Sequence, residues 1–320
     1  MIRPAFAAFA LAAFAAAQDP LANGRSEPGP APGQMPPLEL EFPLFDAPGD
    51  GRVWALGADY KASFGSDGAA FIPFLGSDST ESASLHFALR QAVVAGVELP
   101  LAAKPPIRRD RAVELDHGSL QEIWQVRADG IEQTFRFAAL PVRGELAIAI
   151  DVSTGLGATP DGAGILFAGE RAAVRYGRAF AIDAKGERLT LETTWHDGRI
   201  TLRVPADFVA RASLPLLIDP LVSNAASFTD VGYVWSGDAA FDTSLGEYVV
   251  TYTREYSTTD HDVFVRRFDT ELQPRGGPLT IDFTTTLWAD SHIAGLEARD
   301  RFLVVASEGE DVAIVGRTIS

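Results

Sequence analysis

Apolar residues recur at every second position through much of this chain. Leu146, Ile148, Ile150 and Val152 alternate with Ala147, Ala149 and Asp151. Ile200, Leu202 and Val204 alternate with Arg199, Thr201 and Arg203, and Leu189, Leu191 and Trp195 share one side of a further run. Successive side chains of a strand point to opposite faces, so this alternation predicts strands with one buried face. Two joints carry hairpin chemistry. Asp129-Gly130 separates residues 124–127 from 131–135, and Asp197-Gly198 separates Trp195 from Ile200. Glycine at the second turn position accepts the positive φ of a tight type I′ turn. Helical periodicity is nearly absent. The one expected helical turn spans 205–212, with a proline near its start. The pattern predicts an all-β fold: a β-sandwich-like antiparallel module over 38–222, followed by a partial propeller-like, blade-type repeat region over 223–320.

The repeat expectation rests on paired segments. Gly246-Glu247-Tyr248-Val249-Val250 is echoed by Asp300-Arg301-Phe302-Leu303-Val304, an offset of 54. Asp262-Val263-Phe264-Val265 is echoed by Asp311-Val312-Ala313-Ile314, an offset of 49. Paired strands recurring at a period near ~50 match the spacing of propeller blades. Two unrelated hairpins of generic strand composition are the plainer alternative.

The first residues read differently from the rest. Met1-Ile2-Arg3-Pro4 is a short basic start, and an apolar Ala/Phe run follows as far as Ala17. That run has the length of a signal-peptide core, and Ala15-Ala16-Ala17 supplies small residues for cleavage before Gln18. Residues 1–17 are therefore expected to be a signal peptide. Residues 18–37, rich in Pro, Gly and Ala, are expected to be an extended linker, with folded sequence starting near Leu38. No later stretch is apolar enough to span a bilayer. The expected destination is extracellular or periplasmic, secreted or at the cell surface.

Composition narrows the function classes. The 320 residues are 47% hydrophobic and 22% charged, enough for a sizeable core and one large or two ordinary domains. The net charge of −16 argues against binding to nucleic acid or to an anionic membrane. Residues 38–222 carry 25 acidic and 18 basic residues, and 223–320 carry 16 and 7, so the second region is the more acidic for its length. Cysteine is absent, which removes disulfides, thiolate metal sites and a cysteine nucleophile.

No segment singles out catalytic, cofactor-binding or metal-binding residues. There is no Gly-x-Ser-x-Gly elbow, and Ser236-Gly237-Asp238 reads as a turn before a strand. His86, His117, His196, His261 and His292 form no ligand-spaced pair. Asp260-His261-Asp262 is the densest candidate, offering oxygen ligands to Ca²⁺, with a solvated turn between blade strands as the favoured reading. The stretch from Asp46 to Gly51 (Asp46-Ala47-Pro48-Gly49-Asp50-Gly51) is likewise a turn first. Gly65-Ser66-Asp67-Gly68 and Gly155-Leu156-Gly157 lie between strands, without the following helix that would hold a phosphate. Trp54, Trp124, Trp195, Trp235 and Trp288 would suit sugar stacking, yet core or sheet-edge roles fit them better.

The strand motifs resemble known sequences. Gly130-Ile131-Glu132-Gln133-Thr134-Phe135 with Leu140-Pro141 resembles a stretch of large secreted proteins of planctomycete and myxobacterial type. The segment from Ile200 to Pro205, leading to Leu214-Pro215-Leu216-Leu217-Ile218-Asp219-Pro220, resembles the closing segment found before repeat regions in such proteins and in Rhs-type shell proteins. The resemblance implies an extracellular β-module ahead of a blade-like repeat array, and it implies no activity. A propeller has four to eight blades, more than the two units seen here. The leading expectation is a non-catalytic scaffold, adhesion or repeat-display module, without cofactor, whose partner would be an extracellular protein or polysaccharide. The alternative is an extracellular carbohydrate-active enzyme using an Asp/Glu pair in the blade region.

Overall fold

Strand follows strand with one short interruption. The computed structural model describes residues 42–320 except 77, 78, 80–82, 227–233, 297, 298, 310–312 and 320, with backbone alone at 224–226, 235 and 236. The expected signal peptide, the linker and the start at Leu38 lie outside the described residues, as do Asp311 and Val312 of the second echo. Every strand pair among the described residues is antiparallel, and the sole helix among them is Ala206–Arg211, flanked by Pro205 and Ala212. None of the described helices is long and apolar enough to cross a membrane.

Two large sheets build the first part. A nine-stranded sheet runs Leu44–Asp46, Val53–Leu56, Tyr60–Gly65, Gly68–Pro73, Leu85–Val94, Leu146–Ser153, Arg199–Val204, Glu192–His196, with Val97–Glu98 folded back on Leu85–Val94. An eleven-stranded sheet is organised around Gly130–Phe137, which pairs with Gln121–Val126 on one side and with Leu216–Asp219 and Leu221–Ala226 on the other. Alternation does the work expected of it. Leu146, Ile148 and Ile150 are fully buried while Ala147, Ala149 and Asp151 between them are not. They meet Phe64, Phe71 and Phe87 of their own sheet and Trp124, Phe135, Phe137 and Tyr176 of the other in one continuous core. Two sheets facing each other across a shared core make a sandwich-like layer pair.

Two local expectations resolve differently from the pattern. Asp197 and Gly198 both have positive φ, 47° and 77°, as a tight primed turn requires. Gly130 does not adopt positive φ. It already belongs to its strand, and a Cβ there would meet the Val222 carbonyl oxygen at 2.5 Å, so close strand approach is what demands glycine. The run through Leu189, Leu191 and Trp195 is also two strands. Arg188–Thr190 joins the larger sheet and Glu192–His196 the smaller, and the chain changes sheet at buried Leu191. All three side chains still pack on the shared core, because a segment crossing between two sheets keeps its apolar side toward the layer between them.

The C-terminal part forms two smaller sheets. One is a meander of Val234–Asp242, Glu247–Ser257, Asp260–Asp269 and Pro274–Asp282; the other has Trp288–Leu296, Arg301–Glu308 and Ala313–Ile319. The first hairpins of the two sheets share one plan. Their strands begin 54 positions apart (234 and 288, 247 and 301). Their registers shift at equivalent places, between Trp235 and Asp238 and between Ala289 and His292. The sheets enclose a second, smaller core of Val249, Val263, Val265, Ile281, Trp288, Ile293, Phe302, Val304, Ala306 and Ile319.

Candidate functional site

Among the described residues, a cluster of buried charge sits where these two parts meet. It begins with the strand Tyr60–Gly65, buried on both faces. Tyr60, Ala62 and Phe64 point into the sandwich core, so period two sends Lys61 and Ser63 the other way. Lys61 lies between Leu56 and Ile72 in register and is 0% exposed. The strand Asp260–Asp269 covers it. Asp260 and Asp262, two apart, share the face turned toward the lysine.

The lysine is fully engaged. Its Nζ donates to Asp260 Oδ1 at 2.5 Å, to Asp262 Oδ1 at 2.8 Å and to the Thr284 carbonyl at 2.8 Å, which uses all three ammonium protons. The Tyr256 ring lies 4.5 Å from Nζ, and Phe74 of the sandwich packs on that ring with centroids 4.2 Å apart. Nearby, the Thr258 amide and hydroxyl both donate to the Ser79 carbonyl. Asp282 borders the cluster and accepts hydrogen bonds from the Thr284 amide, the Thr284 hydroxyl and Trp288 Nε1.

Electrostatics and burial pull against each other here. Burial disfavours the Lys61 cation, yet the charges of Asp262 and Asp260 outweigh it and hold the ammonium pKa above its ordinary value. Burial pushes the Asp262 carboxyl well above the usual range and raises Asp260 too, despite Lys61. Asp262 Oδ2 is buried without a hydrogen-bond partner among the described atoms. One cation faces two buried carboxylates, with Asp282 adding negative charge, so the neutral form of Asp262 is favoured. The site holds one lysine and two aspartates in contact, beside the Tyr256 ring on which Phe74 packs.

The sequence candidates fall into place around this cluster. The Asp260-His261-Asp262 stretch is neither an open Ca²⁺ loop nor a solvated turn. It opens a strand, its three residues are at most 9% exposed, and Lys61 occupies the carboxylates. No group of three or more His, Cys, Asp or Glu among the described residues is placed to hold a metal ion. Ser236 lies at a strand irregularity, and Asp238 after it accepts the Ile293 amide at 3.1 Å, tying the two small sheets together. Asp50 accepts the Arg52 amide and Trp54 Nε1, so the turn after Asp46 is tied to the strand that follows it. Trp54, Trp124 and Trp288 are buried, Trp195 is half-buried against Phe167, and the Trp235 side chain lies outside those described. Lys61 went unnoticed in the sequence. The available signal was a lysine amid Tyr60, Ala62 and Phe64, in a chain with only Lys104 and Lys185 besides.

Two further polar groups are buried in the sandwich. His117 pairs with Glu122 at 2.8 Å, Gln133 donates to Glu122 at 2.6 Å, and the Tyr176 hydroxyl donates to Gln133 at 2.9 Å. This run of hydrogen bonds satisfies the polar atoms of Glu122, Gln133 and Tyr176 where they enter the apolar core. Asp219, of the closing segment, has its pKa pushed up to about 6, first by burial and then by the neighbouring Glu132 charge. An open groove of about 450 Å³ lies along Leu44–Asp46 and the edges of the small sheets. Arg317 crosses it to reach Asp46 and the carbonyls of Thr280 and Ile281. No protein-family model matches the chain, and no curated protein matches it at a significant level.

Proposed function

We propose that this chain is a non-catalytic β-module, secreted or displayed at the cell surface after cleavage near Ala17, in which the sandwich serves as a rigid base for blade-like repeats. The repeats present a surface to an extracellular protein or polysaccharide. The observation that carries this reading is the placement of Lys61. The closely placed carboxylates of the repeat region, Asp260 and Asp262, are buried and bound to a lysine of the sandwich. Glycoside hydrolysis instead calls for two carboxylates flanking a bond in an open cleft. The acidic balance of 223–320 suits a solvated display surface, and the shared strand plan of the two small sheets suits a repeat array.

Expression with a secretion system tests both halves of the proposal. Exported protein is expected to begin at Gln18. Incubated with a panel of polysaccharides, it is expected to release no reducing ends. Sugar release by the purified wild type, lost when a repeat-region Asp or Glu is replaced by its amide, would contradict the reading in favour of a carbohydrate-active enzyme.

A further inference from the structure

Lys61 and Asp260 are in direct contact at a buried site. Nζ and Oδ1 are 2.5 Å apart, the lysine is 0% exposed, and the Tyr256 ring, on which Phe74 packs, lies beside it. Burying an ion pair carries a large desolvation cost, and converting the pair into a neutral group removes that cost. The two residues come from different parts of the chain, about 200 positions apart. A permanent link between them would fix the repeat region on the sandwich.

We propose that Lys61 and Asp260 condense into an intramolecular isopeptide bond, with Asp262 as the proton carrier. The balance is that of a simple dehydration. The Lys61 ammonium first gives a proton to the Asp260 carboxylate, leaving a neutral amine beside a neutral acid. The amine lone pair attacks Asp260 Cγ, forming the Nζ–Cγ bond, while Asp262 donates a hydrogen bond to the oxygen that gains charge. Asp262 then takes a proton from the nitrogen and delivers one to the departing hydroxyl. The Cγ–O bond breaks, one water leaves, and Asp262 ends protonated as it began. No oxidant, reductant or cofactor enters.

The geometry separates the two aspartates. Asp262 is 0% exposed and its Oδ2 has no hydrogen-bond partner among the described atoms, which suits the group that must hold a proton. Its raised pKa, caused first by burial, agrees. Asp260 is 7% exposed, which gives the released water a way out. His261 and Asp282 also act on the site's aspartates. Asp282 is committed to Thr284 and Trp288, Arg254 lies on the Tyr256 ring, and the Thr284 carbonyl steers the amine.

Mass spectrometry of the purified full chain decides the matter. Wild type is expected to weigh one water less than its sequence, and trypsin is expected not to cut after Lys61. Residues 53–90 and 255–266 should then appear as one linked species. Lys61→Arg, which keeps the positive charge, and Asp262→Asn, which keeps the shape, should each show the full sequence mass. The wild-type spectrum needs no variant to fold. Full sequence mass with free cleavage after Lys61 would overturn the proposal, and a link mapped to Asp262 would overturn the assignment of roles.

Discussion

The two parts of this molecule are held together by different means. The sandwich is an apolar structure. Its core draws on both large sheets and is rich in fully buried aromatic rings, Phe64, Phe71, Phe87, Trp124, Phe135, Phe137 and Tyr176 among them. The C-terminal part encloses a core of ten buried residues and buries far more polar groups for its length, including Asp242, Glu247, Asp260, Asp262, Arg266 and Asp282. Several of those atoms lack hydrogen-bond partners among the described residues, such as Asp242 Oδ2, the Tyr256 hydroxyl and Arg266 Nε. Apolar burial contributes in proportion to area, whereas buried polar groups stabilise only when fully satisfied. The comparison teaches that the sandwich rests on apolar burial, while the C-terminal part relies more on buried polar contacts, some of them to Lys61 and Ser79 of the sandwich.

The largest way to break this contrast is to delete an aromatic ring on each side. Phe135→Ala in the sandwich is expected to cost about 3–5 kcal/mol and to loosen both parts, because the C-terminal part packs on the sandwich. Phe302→Ala in the small core is expected to cost a similar amount locally and to leave the sandwich folded. Urea unfolding followed by tryptophan fluorescence and circular dichroism should show one transition for the first variant and two for the second. A single lost transition in both would mean that the parts are equally self-sufficient.

A smaller change isolates the contact between the two small sheets. Asp238 accepts the Ile293 amide, and Asp238→Ala should remove about 1.5–3 kcal/mol, the scale of a hydrogen bond to a charged group. Faster amide exchange confined to residues 288–296 and 234–242 is the expected readout. Unchanged exchange there would show that the smaller core alone holds these sheets.

The closing segment of the sandwich sharpens the comparison through pH. Asp219 has a folded pKa of about 6, above its ordinary 3.8. The folded state therefore binds the proton more tightly than the unfolded chain does. The contribution of this group is fully present below the unfolded pKa and is lost as pH rises through about 6. Asp219→Asn should raise the Tm at pH 8 and leave it nearly unchanged at pH 4. An equal shift at both pH values would locate the effect in packing instead of charge.

The smallest expected effect lies at the outer strand Ala313–Ile319. Ile314 is 74% exposed and Val315 37%, on a strand paired along one side among the described residues. Edge strands with apolar side chains template association unless they are charged or covered. Ile314→Lys should change stability by no more than about 0.5 kcal/mol, as exposed substitutions do. It should also reduce salt-induced association in light scattering. Association equal to wild type would point to a different surface.

The all-β class was legible because the alternation over 146–152 and 200–204 has one physical meaning, a strand buried on one side. The helical turn near Pro205 was legible for a similar reason, since proline fits the first position of a helix and few other places. The sheet change at Leu191 was not, because alternation reports which side is buried and not which sheet the strand joins. Nor was the role of Gly130, since a glycine beside an aspartate signals a turn whether its φ or a crossing strand requires it. The central site was half legible. Asp260-His261-Asp262 stood out as a charge cluster, but its partner Lys61 lies about 200 positions earlier, and no local spacing joins them. Reading the cluster as solvated followed from its charge, which is reliable for acidic runs in general and fails where a distant cation covers them.

The central claim is that the C-terminal part is held to the sandwich by the buried Lys61 site. Native-state hydrogen exchange of wild type and Lys61→Met tests it directly, since methionine keeps the length of the side chain and removes its charge and its nitrogen. The account predicts that exchange accelerates markedly along Glu247–Ser257 and Asp260–Asp269 in the variant while Leu146–Ser153 stays protected. Equal protection of Asp260–Asp269 in the two proteins would contradict it.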